Sequence, residues 1–271
     1  SLGLVGSEMC IRDRKNTAPR SATNLSILNL KKAHTQLCTY IQVTATAQSI
    51  LLQEKDDPLS PDFCWVSDTP KNYIGVRNYF VKEELRNKFV FDIESDDIPD
   101  PSDNGAEMPN SLKQAINYFI VASAIAENLD LKKRLKPPFT MLCHPDWSKQ
   151  EHERYFAWIS NYIEMLGRAL LDDELENETF KDLEDSFKLA IKNLDQKIEF
   201  SKVKNSIGEI VEGGISQGIS IINDSNPITG NLKDFWNKSN YHIIIGGNCI
   251  DRGFTVEAVS YTHLTLPTKL S

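Results

Sequence analysis

The stretch Tyr241–Glu257, YHIIIGGNCIDRGFTVE, decides the fold class of this chain. Its β-branched run Ile243–Ile245 is typical of a buried strand, and the run ends in the pair Gly246-Gly247, where the backbone can turn sharply. Open α/β sheets bind ligands at the carboxyl ends of their strands, so this turn is a candidate site. The alternative is a tight strand-to-helix turn with a surface arginine. The polar and small residues that follow the glycine pair are Asn248, Asp251, Arg252, Gly253 and Thr255.

The glycine turn does not carry a standard nucleotide-binding motif. It has no G-x-G-x-x-G, which is typical of dinucleotide sites. It also lacks the spacing and the Lys-Ser/Thr pair of a phosphate-binding loop. The turn therefore does not indicate a dinucleotide site.

A second candidate site follows the segment Leu37–Val43, whose β-branched and aromatic residues predict a strand. The strand runs into small hydroxylic residues, and Ala47–Gln53 is predicted as a short helix. Two interpretations stay open, because the hydroxyls either line a nucleotide and nucleic-acid cleft or cap this helix. The residues in question are Thr44, Ala45, Thr46 and Gln48.

The composition is that of an ordinary globular protein, with 271 residues, 40% hydrophobic and 25% charged. No apolar run is long enough for a membrane span. The net charge of −8 argues against broad electrostatic binding of nucleic acid but leaves room for a local basic cleft. The five cysteines are scattered without a C-x-x-C, which predicts reduced thiols and a cytoplasmic location. No histidine spacing indicates a metal site.

The order of predicted elements indicates an α/β fold. From Pro137 onward the order is strand, helices, strand, strand, which predicts a mostly parallel sheet with helices on both faces. Ser111 and Gln114 are predicted to form a capping box at the start of one helix. The predicted helices are Ser21–Gln36, Pro109–Asn128, 149–168, Thr179–Ile198 and Ser201–Glu212, and the remaining strands are Phe139–Cys143 and Ser216–Asn223.

Two charged patterns have ordinary explanations. Asp92–Glu107 is acidic without Lys or Arg, which predicts a solvated loop. Pro99-Asp100 and Asp130-Leu131-Lys132 match a loose nuclease pattern, but its D-x-K belongs on a strand and here falls at a helix end. We interpret that match as chance.

Several stretches together resemble the Z1 domain family, which is described as an endonuclease domain with superfamily-two helicase motifs and is associated with bacterial restriction systems. The most specific stretch runs from Ile244 to Glu257. The other matching stretches are Tyr40–Gln48, Leu59–Phe63, Tyr73–Gly75 with Tyr79-Phe80, Leu112–Ile116 with Phe119, and Met141–His144 with His152.

This resemblance implies a RecA-like motor. Thr44-Ala45-Thr46 is similar to the third helicase motif, Met141–His144 to the strand that opens the second lobe, and Gly246–Thr255 to the fifth motif. It also implies that ATP and Mg²⁺ are cofactors of the intact parent protein, with DNA and restriction-system proteins as partners. The implied cleft residues are Thr44, Ala45, Thr46, Gln48, His144, Gly246, Gly247, Asn248, Asp251, Arg252, Gly253 and Thr255.

The resemblance also implies a domain organisation. Residues 15–57 correspond to the end of a first motor lobe, 58–136 to an inserted region and 137–258 to a truncated second lobe. Ser1–Arg14 and Val259–Ser271 resemble adapter-derived sequence and are expected to lie outside the fold.

The chain departs from the family pattern at several points. Ala47 and Ala258 stand where the family has Pro and Gly, and no phosphate-binding loop, acidic magnesium motif or sixth motif occurs. The chain alone is therefore expected to lack a complete catalytic set and to be inactive. The alternative function is a non-catalytic interaction domain that keeps the motor fold.

Overall fold

The computed structural model describes residues 22–33, 39–43, 57–71, 75, 77–129, 138–171, 178–194, 198–228, 231–247, 250 and 259–264. The chain divides into two compact units, Ser1–Ile74 and Gly75–Ser271. In the described part, no helix has the length and apolarity needed to cross a membrane.

The first unit contains helix α1, Ala22–Ala33, and a turn near Leu59. Lys31 donates from Nζ to the carbonyl of Pro58 at 2.7 Å, and Gln42 donates from Nε2 to the carbonyl of Leu59 at 3.1 Å. Leu59 is 1% exposed. These bonds join the turn to α1 and to the segment that contains Gln42.

The predicted strand Leu37–Val43 is wrong over residues 39–43, which have no regular secondary structure. Ile41 and Val43 are exposed there. A strand needs a neighbouring strand for its backbone hydrogen bonds, and no strand of the first unit is found in the described ranges. Local β-propensity without a partner therefore leaves the segment irregular. Residues 37, 38 and 44–53 lie outside the described residues.

The second unit is an α/β domain, which confirms the predicted fold class at that level. A single turn of π-helix, Arg77–Val81, precedes the first helix of this unit. The helices are α2 (Glu83–Phe89), α3 (Asn110–Asn128), α4 (Lys149–Leu171), α5 (Glu178–Leu194), α6 (Phe200–Gly213), α7 (Ile215–Gly218) and α8 (Leu232–Trp236). The strands are β1 (Phe139–His144), β2 (Ile219–Ile222), β3 (Tyr241–Gly246) and β4 (Val259–Leu264).

The four strands form one parallel sheet in the order β2-β3-β1-β4. Successive side chains of a strand point to opposite faces. Met141 and Ile243 pack into the larger core with α3, α4, α5 and α6. Ile244 packs on the other face with Ile222 and with Trp236 of α8. Both faces are therefore covered, as the sequence predicted.

The N-terminus of helix α3 is capped by a residue that is distant in sequence, rather than by the predicted capping box. The helix begins at Asn110, so Ser111 lies inside its first turn. The carboxylate of Asp97 accepts from the backbone N–H groups of Asn110 and Ser111, at 2.8 and 2.7 Å. A negatively charged acceptor is favourable at a helix N-terminus. The acidic loop therefore contributes to the stability of the fold by capping α3.

The predicted strand Ser216–Asn223 is shorter in the structure, because its first residues form the turn α7. Gly218 is the last residue of α7, and a Cβ built there would lie 1.9 Å from the carbonyl oxygen of Tyr241. The backbone approaches the start of β3 too closely at this boundary for any residue other than glycine.

Strand β4 comes from the segment Val259–Ser271, which the sequence predicted to lie outside the fold. The structure differs over Val259–Leu264, which pairs in parallel with β1. The segment VSYTHL is rich in β-branched and aromatic residues that favour strands, and β1 offers it a row of backbone hydrogen-bonding groups. Residues 1–14 and 265–271 lie outside the described residues.

Candidate functional site

The candidate site lies at the carboxyl edge of the sheet, where β1, β2 and β3 end together. Their register brings Cys143 opposite Ile245 and Ile222 opposite Gly246. The turns after these strands therefore meet at one edge, although they are far apart in sequence. We refer to these three turns as the carboxyl edge: residues 144–148, 223–226 and 246–247.

The glycine pair at the end of β3 lies very close to the backbone of the neighbouring turns. A Cβ at Gly246 would lie 2.4 Å from the carbonyl oxygen of Ile222. A Cβ at Gly247 would lie 3.0 Å from the carbonyl oxygen of Asp146 and 3.2 Å from Nε2 of His152. Packing therefore requires glycine at position 246, whereas a Cβ at position 247 would make only tight contacts with its neighbours.

His152 and Asn223 form a buried polar link between the turns, and they are 2% and 5% exposed. The amide oxygen of Asn223 accepts from the backbone N–H groups of Ser225 and Asn226 at 3.0 and 2.9 Å, which fixes the orientation of its amide. Its Nδ2 then donates to Nδ1 of His152 at 3.2 Å. Because Nδ1 accepts, the ring proton of neutral His152 lies on Nε2, which donates to the carbonyl of Asp146 at 2.9 Å.

The outer side of the carboxyl edge is polar and aromatic. Trp147 is 73% exposed. Lys149 donates from Nζ to Oγ of Ser225 at 2.6 Å, joining the start of α4 to the turn after β2. The carboxylate of Asp146 accepts from the backbone N–H of Ser148 at 2.8 Å. This surface combines the ammonium of Lys149, the hydroxyl of Ser225 and the exposed indole of Trp147 with the carboxylates of Asp146 and Asp224.

Glu151 and Arg154 lie behind the edge on α4 and form an ion pair at 3.2 Å, with side chains 5% and 13% exposed. Burial raises the pKa of Glu151, Arg154 opposes that shift, and the nearby Asp146 adds to it. Arg154 also donates to the carbonyl of Pro101 at 3.2 Å. Arg154 thus ties the acidic loop to α4.

Three of the predicted cleft residues are described, and they lie at the carboxyl edge. His144 is the half-buried last residue of β1, and Gly246 and Gly247 are buried at the end of β3. The other nine lie outside the described residues, and their place in a cleft stays a prediction: Thr44, Ala45, Thr46, Gln48, Asn248, Asp251, Arg252, Gly253 and Thr255.

Sequence reasoning missed the residues that hold the edge together. Asn223 ends an apolar run and begins an Asn-Asp-Ser-Asn turn, which is a local signal for a side chain that bonds its own backbone. His152 lies one helical turn after Ser148, and in the sequence only its similarity to a Z1-domain stretch marks it. Their contact spans 71 residues, so no local pattern could predict it.

Metal binding has no geometric support in the part of the chain that the structure describes. No group of three or more His, Cys, Asp or Glu side chains there is close enough to hold an ion. The acidic loop instead uses its carboxylates for backbone caps, such as Asp97 on α3 and Asp100 on Ser102.

Comparison with known proteins gives one match. The family model of the Z1 domain matches residues 111–269, which is more than half of the chain. No curated protein and no solved structure matches the chain. The matched range includes α3 to β4 and therefore the whole carboxyl edge.

Proposed function

The chain belongs to the Z1 domain family, and from this premise we propose that it is part of a nucleic-acid-dependent ATPase of helicase type. In this proposal the second unit is a RecA-like motor lobe, its partner is DNA, and its role is bacterial DNA restriction or defence. The endonuclease assignment that the family carries is part of the same proposal, without assigned cleavage residues.

The observation that carries the proposal is the meeting of three turns at the carboxyl edge of a parallel sheet. Ligands of open α/β sheets bind outside the carboxyl ends of the strands. Here His152 joins the turns after β1 and β2 through its bonds to Asp146 and Asn223, and the turn after β3 packs against them. A rigid edge of this kind supports the binding of an extended polyanion, because positioned donors fix a phosphate backbone.

The cations proposed to contact phosphate are Lys149, which is exposed at the edge, and Arg252, which the sequence puts five residues after Gly247. Arginine presents a planar fork that suits phosphate, whereas lysine acts as a point charge.

ATP and Mg²⁺ are proposed for the intact parent protein. The sequence has no phosphate-binding loop motif, and we assign no chemical step through ATP or Mg²⁺ to this chain.

A DNA-binding titration of the full chain tests the proposal. Labelled DNA should bind with an affinity that falls as salt rises, because phosphate contacts release counterions. Arg252→Ala should reduce the slope of log affinity against log salt by about one, the change for one lost phosphate contact. Absence of salt-dependent binding by the wild-type chain would overturn the proposal.

A matched control separates a specific contact from lost charge. Arg168 on α4 is 74% exposed and pairs with Glu164. Arg168→Ala removes the same charge as Arg252→Ala but should leave the salt slope unchanged. Equal effects of the two variants would show that net charge, rather than a contact at the edge, governs binding.

The alternative is an interaction domain that keeps the fold without motor activity. The exposed apolar side chains of Phe63, Trp65 and Val66, in the first unit, favour this alternative, since such surfaces suit protein partners. A chain that binds no DNA at any salt concentration would support it.

A further inference from the structure

Trp147 differs from the other tryptophans of the second unit in its exposure. Trp236 is 6% exposed and packs in the core beside Ile244. Trp158 is half-buried and packs with Tyr155 and Arg154. Trp147 is 73% exposed, and its ring has no aromatic or cationic partner within the described ranges. An indole exposed to this degree has no evident role in packing.

The backbone that carries Trp147 is held firmly. On one side, the carbonyl of Asp146 accepts from His152. On the other, the N–H of Ser148 donates to the carboxylate of Asp146 at 2.8 Å. The Cα of Trp147 also lies 3.2 Å from the position of a Cβ on Gly247, so the turn after β3 packs directly against it. The indole is therefore presented from a fixed point of the carboxyl edge.

The surroundings of Trp147 suit a nucleotide. The ammonium of Lys149 is two residues away on the same turn and helix, and it is held toward the turn after β2 by Ser225. Two carboxylates also lie on this edge, those of Asp146 and Asp224, and that of Asp146 accepts from a backbone N–H. An exposed indole with a lysine two residues further along the chain offers a stacking surface for a base and a cation for its phosphate.

We propose that Trp147 is a stacking platform for an unpaired base, so that the carboxyl edge binds single-stranded rather than fully paired nucleic acid. The inference rests on the proposed function and refines its substrate class. Bases within a duplex have both faces covered by their neighbours, whereas an unpaired base can leave the stack and lie on the indole. Lys149 supplies the phosphate contact next to that base.

The test compares three labelled ligands of equal length with the full chain: a thymidine homopolymer, the same strand with abasic sites, and a blunt duplex. Trp147→Ala should weaken binding of the thymidine strand by at least about tenfold, a stacking loss of about 1.4 kcal/mol. Binding of the duplex and of the abasic strand should change less than about twofold, since neither offers a free base. Trp147→Phe should recover part of the loss.

Phe80→Ala is the matched control, because Phe80 is an exposed aromatic residue of the same unit, 60% exposed, and is not part of the carboxyl edge. It should leave all three affinities unchanged. Equal losses for strand, abasic strand and duplex in Trp147→Ala would overturn the stacking proposal, and so would no loss at all. If the wild-type chain binds none of the ligands, the proposed function itself fails, which distinguishes the two failures.

Discussion

Replacement of Asn223 by alanine should destabilise the second unit, and the structure indicates by how much. The change removes the donor to Nδ1 of His152 and the acceptor for the N–H groups of Ser225 and Asn226. The two amides lie in an exposed turn and can bond water. Nδ1 of His152 is buried and becomes an unpaired acceptor, which costs about 1–3 kcal/mol. With a smaller contribution from the turn, we expect a loss of about 2–3 kcal/mol in the free energy of unfolding.

Urea denaturation followed by circular dichroism measures this loss, and Asn226→Ala provides the control. Asn226 is exposed in the same turn, so its truncation should change the free energy of unfolding by less than about 0.5 kcal/mol. If Asn223→Ala also stays within about 0.5 kcal/mol of the wild-type chain, the buried link does not support the edge and the reasoning is refuted.

Asn223→Asp tests the proton position on His152. A carboxylate can still accept from the turn amides, but its other oxygen would face the unprotonated Nδ1. Two acceptors would then face each other with no proton between them, so this variant should lose about 1–3 kcal/mol in the free energy of unfolding, measured by urea denaturation. A variant as stable as the wild-type chain would contradict the assigned proton position.

Three further predictions concern the rest of the chain. Burial lowers the pKa of His242 and outweighs the opposite effect of its bonds to the carbonyls of Trp236 and Ser239. As the pH falls, the unfolded chain therefore takes up a proton at a higher pH than the folded chain does. The contribution of neutral His242 to the free energy of unfolding is complete above about pH 7 and is lost progressively below about pH 6.5. The difference in free energy of unfolding between wild type and His242→Gln, measured by urea denaturation, should decrease toward about pH 5.5. A difference that stays the same at every pH would contradict this prediction. Removal of residues 259–271 leaves one side of β1 unpaired and should lower Tm by at least about 3 °C; equal melts would support the expectation that this segment is foreign to the fold. The chain has no phosphate-binding loop motif, so a phosphate-release assay with ATP, Mg²⁺ and DNA should show no turnover, and turnover that a mutation within 246–255 abolishes would refute that expectation.

Elements with local signals were predicted well. Helix α4 and strand β3 match their predicted positions closely, because their apolar spacing and their turn residues lie within the element itself. The segment 39–43 was predicted as a strand and is irregular. Its residues have the right propensity, but pairing depends on a partner strand that local sequence does not specify.

The candidate site was likewise predictable from the sequence only where its signal is local. Its position after Ile243–Ile245 followed from the strand and the glycine pair. The side chains that hold the site could not be predicted, because His152 and Asn223 come into contact only when the chain folds. Asp97 is a similar case, since it caps α3 from 13 residues before Asn110. Long-range polar contacts carry no periodic signal in a single sequence.

The glycine pair illustrates why variants must be chosen from contacts rather than from motifs. From the sequence, Gly246 and Gly247 suggested room for a ligand, yet a Cβ at Gly246 would clash with the carbonyl of Ile222 and one at Gly247 would be in tight contact with its neighbours. Alanine at Gly247 would press on the carbonyl of Asp146 and on His152, so a loss of DNA binding would follow from a displaced edge alone. Trp147 has no such packing role and its ring is exposed. A binding defect in Trp147→Ala with an unchanged melting curve would therefore report on the ligand itself.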